Sequence, residues 1–420
     1  MQQLLDFLNT SYTSYHAIQN AESLLKANGF SLLKEQEPWA LNQGGKYYVK
    51  RNGSALIAFT LSKDNSYFKI VASHTDSPAL KLKQDTLVQK DGYQTLSVEV
   101  YGGGIWYSFF DRPLRIAGRV LVETENGAKE EVVLSSYQVT IPSVAIHQNR
   151  KVNDKFAIDQ QVDLQPLLSL SDGEDYLSSL SDGKILSYDL YCVNAQSAYA
   201  FGVNDEFIAA PRVDNLTSVY SSLTSLLKSE QNCGINVVAA FDNEEVGSHT
   251  YQGAGSDFLQ TTLRRISLAL NKTESEHLQA LSASFMVSLD NAHAVHPNHP
   301  EKSDPYAKTK MGNGIVIKTT AKKAYVTDGL SSAIINRIFD LANVPHQTFF
   351  NRSGALGGST LGAISLAQVG VLSVDIGLAQ LAMHSSVECF AKKDYLSLFD
   401  GLTAFYNSAI RFDENSFTVR

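Results

Sequence analysis

Three short runs, INVVAAF at 235–241, SFMVSL at 284–289 and VGVLSVDIGL at 369–378, are nearly continuous in apolar residues instead of alternating with polar ones. A strand with one wet face alternates, so a run without alternation is a strand covered on both faces. Segments of helical period separate these runs. In LTSVYSSLTSLLKS at 216–229, Leu216, Val219, Tyr220, Leu223, Leu226 and Leu227 fall on one side of a predicted helix. Doubly covered strands alternating with helices specify a mostly parallel, doubly wound α/β sheet.

That pattern is interrupted. KYYVKRNGSALIAFTL at 46–61 reads as a hairpin turning at Asn52-Gly53, and YFKIVAS at 67–73 as a buried strand. From about residue 85 to 205 the period becomes two, as in TLSVEVYGGG, RIAGRVLVETENG and EEVVLSSYQVTI. We therefore expect a discontinuous α/β domain, 1–84 with 206–420, carrying a β-rich insertion at 85–205. A chain of 420 residues is long enough for two such cores. The pentad SLSDG, at 169–173 and again at 179–183, marks an exposed connection.

Several functional classes are excluded. No apolar stretch approaches the ~18 residues of a spanning helix, and the first thirty residues lack the basic and apolar regions of a signal peptide. A cytoplasmic protein without a membrane partner is expected. Cys192, Cys233 and Cys389 are far apart and form no thiolate metal motif. A formal net charge of −8 without basic runs argues against nucleic acid.

Ligands of open parallel sheets bind beyond the carboxyl ends of the strands, and that is where the polar residues fall. KIVAS leads to His74 and Asp76, VVAAF to Asp242, Glu244 and Glu245, and FMVSL to Asp290. Asp214 opens the Leu216 helix, and His384 follows the last apolar run. Singly these are ordinary: an Asp before a helix is usually a cap, and an Asn-Glu-Glu is usually a solvated turn. His293, His296 and His299, at intervals of three, are either a metal cluster or loop polar groups. Jointly, two histidines and three carboxylates form a set for two divalent ions sharing one short carboxylate, a place that suits Asp214. If the glutamate doublet is extended, its side chains point opposite ways. One then becomes a ligand and the other a base for a metal-activated water, which is hydrolase chemistry. Asp242 receives no role.

With these residues in place, the chain resembles the M18 family of metallo-aminopeptidases, of the aspartyl aminopeptidase type. The similarity runs through HTDSPALKLK at 74–83, YGGGIW with FDRPLRIAGRV at 101–120, SVAIHQNR at 143–150, VDNLTS at 213–218, DNEEVGS at 242–248, DNAHAVHPNHPEK at 290–302 and LAMHSSVE at 381–388. The resemblance implies one zinc on His74, Asp214 and Asp290 and a second on Asp214, Glu245 and His384, with Mn2+ or Co2+ as other candidate ions. It implies Glu244 as general base and Asp76 as the carboxylate behind the ligating His74. The insertion corresponds to a dimerisation domain whose His147 reaches a neighbouring active site, and the assembly to a tetrahedral dodecamer of dimers acting on peptides. Lys318 and Tyr325 match an acid-recognising specificity pocket, although Ala324 stands where the family usually has arginine and SYTSYH lacks its usual proline. GALGGSTLG at 354–362 matches a close backbone approach near the site. The expected reaction is removal of an N-terminal residue, preferably Asp or Glu. Alternatives are a relative preferring neutral residues, a dinuclear-metal carboxypeptidase or deacylase, and an assembly scaffold with structural metals.

Overall fold

The longest strand ladder in the computed structural model has nine strands, in the order Ser31–Leu33, Lys46–Arg51, Ala55–Thr60, Ile235–Phe241, Phe68–His74, Phe285–Leu289, Leu372–Gly377, Ile315–Lys318 and His346–Phe349. The structure describes residues 1–170, 176–230, 232–355, 358 and 360–420, with every side chain but those of 85 and 86. Residues 171–173 of the first SLSDG pentad, and 356, 357 and 359 of GALGGSTLG, lie outside the described residues.

The four central strands, Ile235–Phe241, Phe68–His74, Phe285–Leu289 and Leu372–Gly377, run parallel. They are the unalternating runs, and residues from both faces of each are buried. Val71, Val238, Val287 and Val374 pack against one helical layer, which includes Gln2–Thr10, Ser14–Ala27, Val213–Lys228, Gly329–Leu341 and Lys392–Asn407. Ile70, Ala239 and Met286 pack the other way, against Phe258–Ala269, Glu274–Ser282 and Leu361–Val369. The Lys46–Arg51 and Ala55–Thr60 strands form the expected hairpin, with Asn52 and Gly53 both at positive φ. No helix among the described residues is long and apolar enough to cross a membrane.

The helix Val213–Lys228 departs from the one-sided pattern of its sequence, because its small hydroxyl residues are buried too. Thr217 and Ser221 each donate to the carbonyl four residues earlier, and Ser222 to Val219. Hydroxyls satisfied by their own helix can be enclosed without losing hydrogen bonds, so this helix sits deep against the strand Phe68–His74 and the helix Lys392–Asn407. Its first residues are held accordingly.

The period-two segments form a second, wholly antiparallel sheet in the order Gly127–Leu134, Leu114–Thr124, Ile185–Asn194, Ala79–Lys90, Tyr93–Tyr101 and Leu167–Leu170. Its own core includes Leu80, Leu96, Ile116, Val120 and Leu190. Strand pairing places the ends of this sheet at Ala79 and Asn194, inside the limits expected at 85 and 205 on the C-terminal side and ahead of them on the N-terminal side. Alternation already begins in HTDSPALKLK, where Leu80 and Leu82 are buried and Lys81 and Lys83 partly exposed. The strands Tyr199–Phe201 and Phe207–Ala210 instead join Glu388–Ala391 in a third sheet.

Candidate metal centre

The polar residues converge at the carboxyl edge of the central strands. His74 ends its strand. Glu244 and Glu245 follow Ile235–Phe241, and Asp290 follows Phe285–Leu289. Asp214 does not cap its helix. It lies within the first turn with non-helical angles, and its carboxylate is 3% exposed between two imidazoles.

Nε2 of His74 is 3.5 Å from Asp214 Oδ1 and 3.7 Å from Asp290 Oδ1. Nε2 of His384 is 3.5 Å from Asp214 Oδ2 and 3.3 Å from Glu245 Oε1. These gaps are long for hydrogen bonds between imidazole and carboxylate. Two donor atoms held roughly 2.1 Å from one tetrahedral ion stand about 3.4 Å apart. Asp214 Oδ1 and Glu245 Oε1 are also buried without a hydrogen-bond partner, an arrangement that costs stability unless something else satisfies them. His74, Asp214 and Asp290 could therefore hold one ion, and Asp214, Glu245 and His384 another. His74 can also group with Glu244 and Glu245. The donor set fits zinc.

The charges point the same way. Burial opposes charge on His74, yet Asp214, Asp290 and Asp76 raise its pKa well above the ordinary value. His384, half-buried with a side chain 29% exposed, is pushed up to about 10 by Asp214 and Glu245 against the opposing effect of burial. Burial raises Glu245 well above the carboxylate range and lifts Glu244 to about 7, with further repulsion from Asp290, Asp76 and Asp214 on the latter. A cation-free cluster must keep protons to remain buried.

The glutamate doublet is not extended, which corrects the rationale for dividing it. Glu244–Val246 is a short 3-10 helix, entered through Asn243 at φ 62°. The side chain of Asn243 holds that turn: Oδ1 accepts from Thr250 and Gln252. Asp76 supports it from behind, its oxygens accepting the N–H groups of Glu244 and Glu245, both at 3.1 Å. The same carboxylate is 3.3 Å from Nδ1 of His74, whose Nδ1 also lies 3.1 Å from the Asp76 carbonyl. A carbonyl only accepts, so Nδ1 carries the hydrogen and Nε2 is free to ligate.

Glu388 escaped the sequence reading. It is buried, accepts from the backbone N–H of Asp214 at 2.9 Å and of His384 at 2.6 Å, and so ties two of the candidate ligands together. Burial lifts its pKa to about 8, with Asp214 adding repulsion. In sequence it is only the last residue of LAMHSSVE, four after His384, and its burial is not visible there.

Other expected residues lie elsewhere. Lys318 is not a surface lysine: it is 1% exposed, 3.3 Å from Asp290 Oδ2 and 3.2 Å from the Asn291 carbonyl, with its Nζ 5.2 Å from the Tyr325 ring. His147 lies on an exposed turn of the inserted unit and does not join the ligands of its own chain. The three histidines of NAHAVHPNH do not converge on an ion either. His293 packs on Phe349, while His296 and His299 stack on each other and His299 pairs with Glu301. Asp242 is buried beside Asp76 and raised to about 7 by burial and that neighbour.

The family described as Aminopeptidase I zinc metalloprotease (M18) matches residues 7–406. A protein of Clostridium acetobutylicum described as a probable M18 family aminopeptidase 2 is 39% identical over 424 residues, 97% of this chain and 98% of that one. Among solved structures, Ape4 in its complex with Nbr1 superposes with a TM-score of 0.92 at 34% identity, covering 96% of this chain and 85% of that one. The mApe1 dodecamer of S. cerevesiae does so with a TM-score of 0.83 at 25% identity, over 96% and 97%.

Because ions must displace the protons that the ion-free cluster retains, zinc uptake at pH 7 should release protons, and affinity should fall as pH falls. Titrating unbuffered, ion-free protein with zinc should acidify the solution by at least one proton per chain. Uptake with no release would contradict the charge assignment.

Proposed function

The chain belongs to the M18 family of zinc metalloproteases, and from that premise we propose that it is a two-zinc aminopeptidase removing single N-terminal residues from peptides. One observation carries the proposal: the two oxygens of a single buried carboxylate, Asp214, each lie 3.5 Å from the Nε2 of a different histidine. His74, Asp214 and Asp290 would hold one zinc, and Asp214, Glu245 and His384 the other. Zinc, when bound there, would supply a Lewis acid for the peptide carbonyl and lower the pKa of the attacking water.

The remaining work belongs to the protein. Glu244, on the same turn as Glu245 and grouped with His74, would both accept and return a proton. It takes the proton of the attacking water and delivers it to the departing amine nitrogen as the C–N bond breaks. Asp76 orients His74 through Nδ1 and fixes the turn bearing Glu244, so the base and one ligand share a support. Glu388 does the same for Asp214 and His384.

A preference for N-terminal Asp or Glu is part of the proposal, carried by the family resemblance and by one buried cation near the ligands. Lys318 spends two of its three N–H donors on Asp290 and Asn291. A substrate carboxylate would share that ammonium with Asp290. The assembly proposed is a dodecamer built from dimers, with His147 presented to a neighbouring subunit; the S. cerevesiae relative is named as a dodecamer.

Replacing Glu244 by Gln should leave zinc content unchanged and lower kcat by ~10²–10⁴-fold, the usual cost of a positioned base. Full turnover by the zinc-loaded variant would remove Glu244 from the mechanism. On Asp-, Glu-, Leu- and Ala-initiated peptides, acidic substrates should give the highest kcat/KM and acetylation of the N-terminus should abolish cleavage. Faster cleavage of Leu peptides would select the neutral-preferring relative, and cleavage of acetylated peptides a carboxypeptidase or deacylase.

A further inference from the structure

Residues 101–105 leave the inserted sheet and pass directly over the candidate metal ligands. The strand Tyr93–Tyr101 delivers Tyr101 at its last position, where its ring packs edge-on against Tyr191 of the same sheet, centroids 5.5 Å apart. The hydroxyl leaves that sheet's core and donates to Asp76 Oδ2 at 2.7 Å. It also accepts from Asn243 Nδ2 at 2.8 Å. One hydroxyl thus joins the carboxylate behind His74 to the residue that opens the Glu244–Glu245 turn.

The next residues address the other ligand set. Gly102 has φ 75°, and a Cβ on it would lie 3.0 Å from Cβ of Glu245. A glycine is required here both for the backbone angle and for the close approach. The Gly103 carbonyl is 3.1 Å from His384 Nδ1. Since a carbonyl can only accept, this contact places the hydrogen on Nδ1 and leaves Nε2 to face Asp214 and Glu245. The Ile105 N–H closes the stretch by donating to the His384 carbonyl at 2.8 Å. Both histidines are therefore oriented at Nδ1 by a support that either belongs to this stretch or is held by it.

We propose that residues 101–105 are a latch through which the inserted β unit sets zinc affinity in the α/β unit, with Tyr101 a positioning residue that acts on His74 through Asp76. The latch rests on the two-zinc reading above. Outer partners of ligating histidines typically change metal affinity by about 10–100-fold, and Tyr101 stands one step further out. Its contact with Asp76 is a short hydrogen bond to a carboxylate oxygen, 2.7 Å long. Gly102 and Gly103 act on Glu245 and His384, ligands of one ion, whereas Tyr101 acts on His74 through Asp76 and, through Asp76 and Asn243, on the turn that bears Glu245.

The test is stepwise zinc affinity, measured by chelator competition on the full-length chain, with ion-free melting temperatures recorded alongside. Tyr101→Phe should weaken both steps, by about 10-fold. Gly102→Ala should weaken one step and leave the other within twofold. Tyr48→Phe removes a buried hydroxyl that donates to Glu22 at 2.9 Å, far from the ligands, and should change neither step. Two wild-type affinities unchanged within twofold in Tyr101→Phe would overturn the latch and leave the two-zinc reading standing. Equal weakening of both steps by Tyr101→Phe, matched by Tyr48→Phe, would reduce it to general loosening and also overturn it. If Tyr101→Phe does not fold, unchanged affinities in Gly102→Ala overturn the proposal. Wild-type protein that takes up no zinc would overturn the two-zinc reading itself.

Discussion

One buried carboxylate organises the site. Asp214 is 3% exposed, has two imidazole nitrogens at 3.5 Å on opposite oxygens, and leaves Oδ1 without a hydrogen-bond partner. Enclosing an ionised carboxylate in a protein interior costs several kcal/mol unless opposite charge compensates it. No Lys or Arg pairs with it within the described residues. The compensation comes from whatever the histidines hold, protons or metal ions. Every other feature of the site then reads as support for Asp214 and the groups that face it.

The scaffold supplies that support from separate elements. The helix Val213–Lys228 is sunk into the core, with Thr217, Ser221 and Ser222 bonding to its own backbone, which fixes Asp214 from one side. Glu388 enters from the third sheet and holds the N–H groups of Asp214 and His384 together. Asp76 holds His74 and the glutamate turn. Lys318, at the end of an inner strand, neutralises the second oxygen of Asp290, leaving the first toward His74. Every candidate ligand thus has a positioning group, some of them shared, as the proposed pair of close, like-charged ions would require.

Much of this was legible in sequence because the fold converts sequence position into spatial position. A strand buried on both faces cannot alternate, so the central strands announced themselves, and the residue after each parallel strand falls on the ligand-binding edge. His74, Asp290 and the glutamate doublet were found that way. The 3-10 turn was not, since it depends on Asn243 adopting a left-handed angle that its neighbours do not dictate. Glu388 and Tyr101 act across long sequence separations, through contacts to residue 214 and residue 76 that leave no local pattern. The burial of Lys318 was hidden for a simpler reason: an isolated lysine is ordinarily at the surface, and only the pairing with Asp290 makes this one internal. The second sheet's first strand begins at Ala79, ahead of the expected limit at 85, because the change of period starts with Leu80, inside a motif otherwise read for its histidine.

The central claim is that two ions share Asp214. It is tested most directly by zinc stoichiometry on stripped and reloaded protein, comparing wild type with Asp214→Ala and Asp290→Ala. The account predicts two zinc ions per chain in wild type, loss of tight binding at both positions in Asp214→Ala, and retention of one ion in Asp290→Ala. A wild-type chain saturating at one ion, or an Asp214→Ala chain that keeps either ion at wild-type affinity, would contradict it.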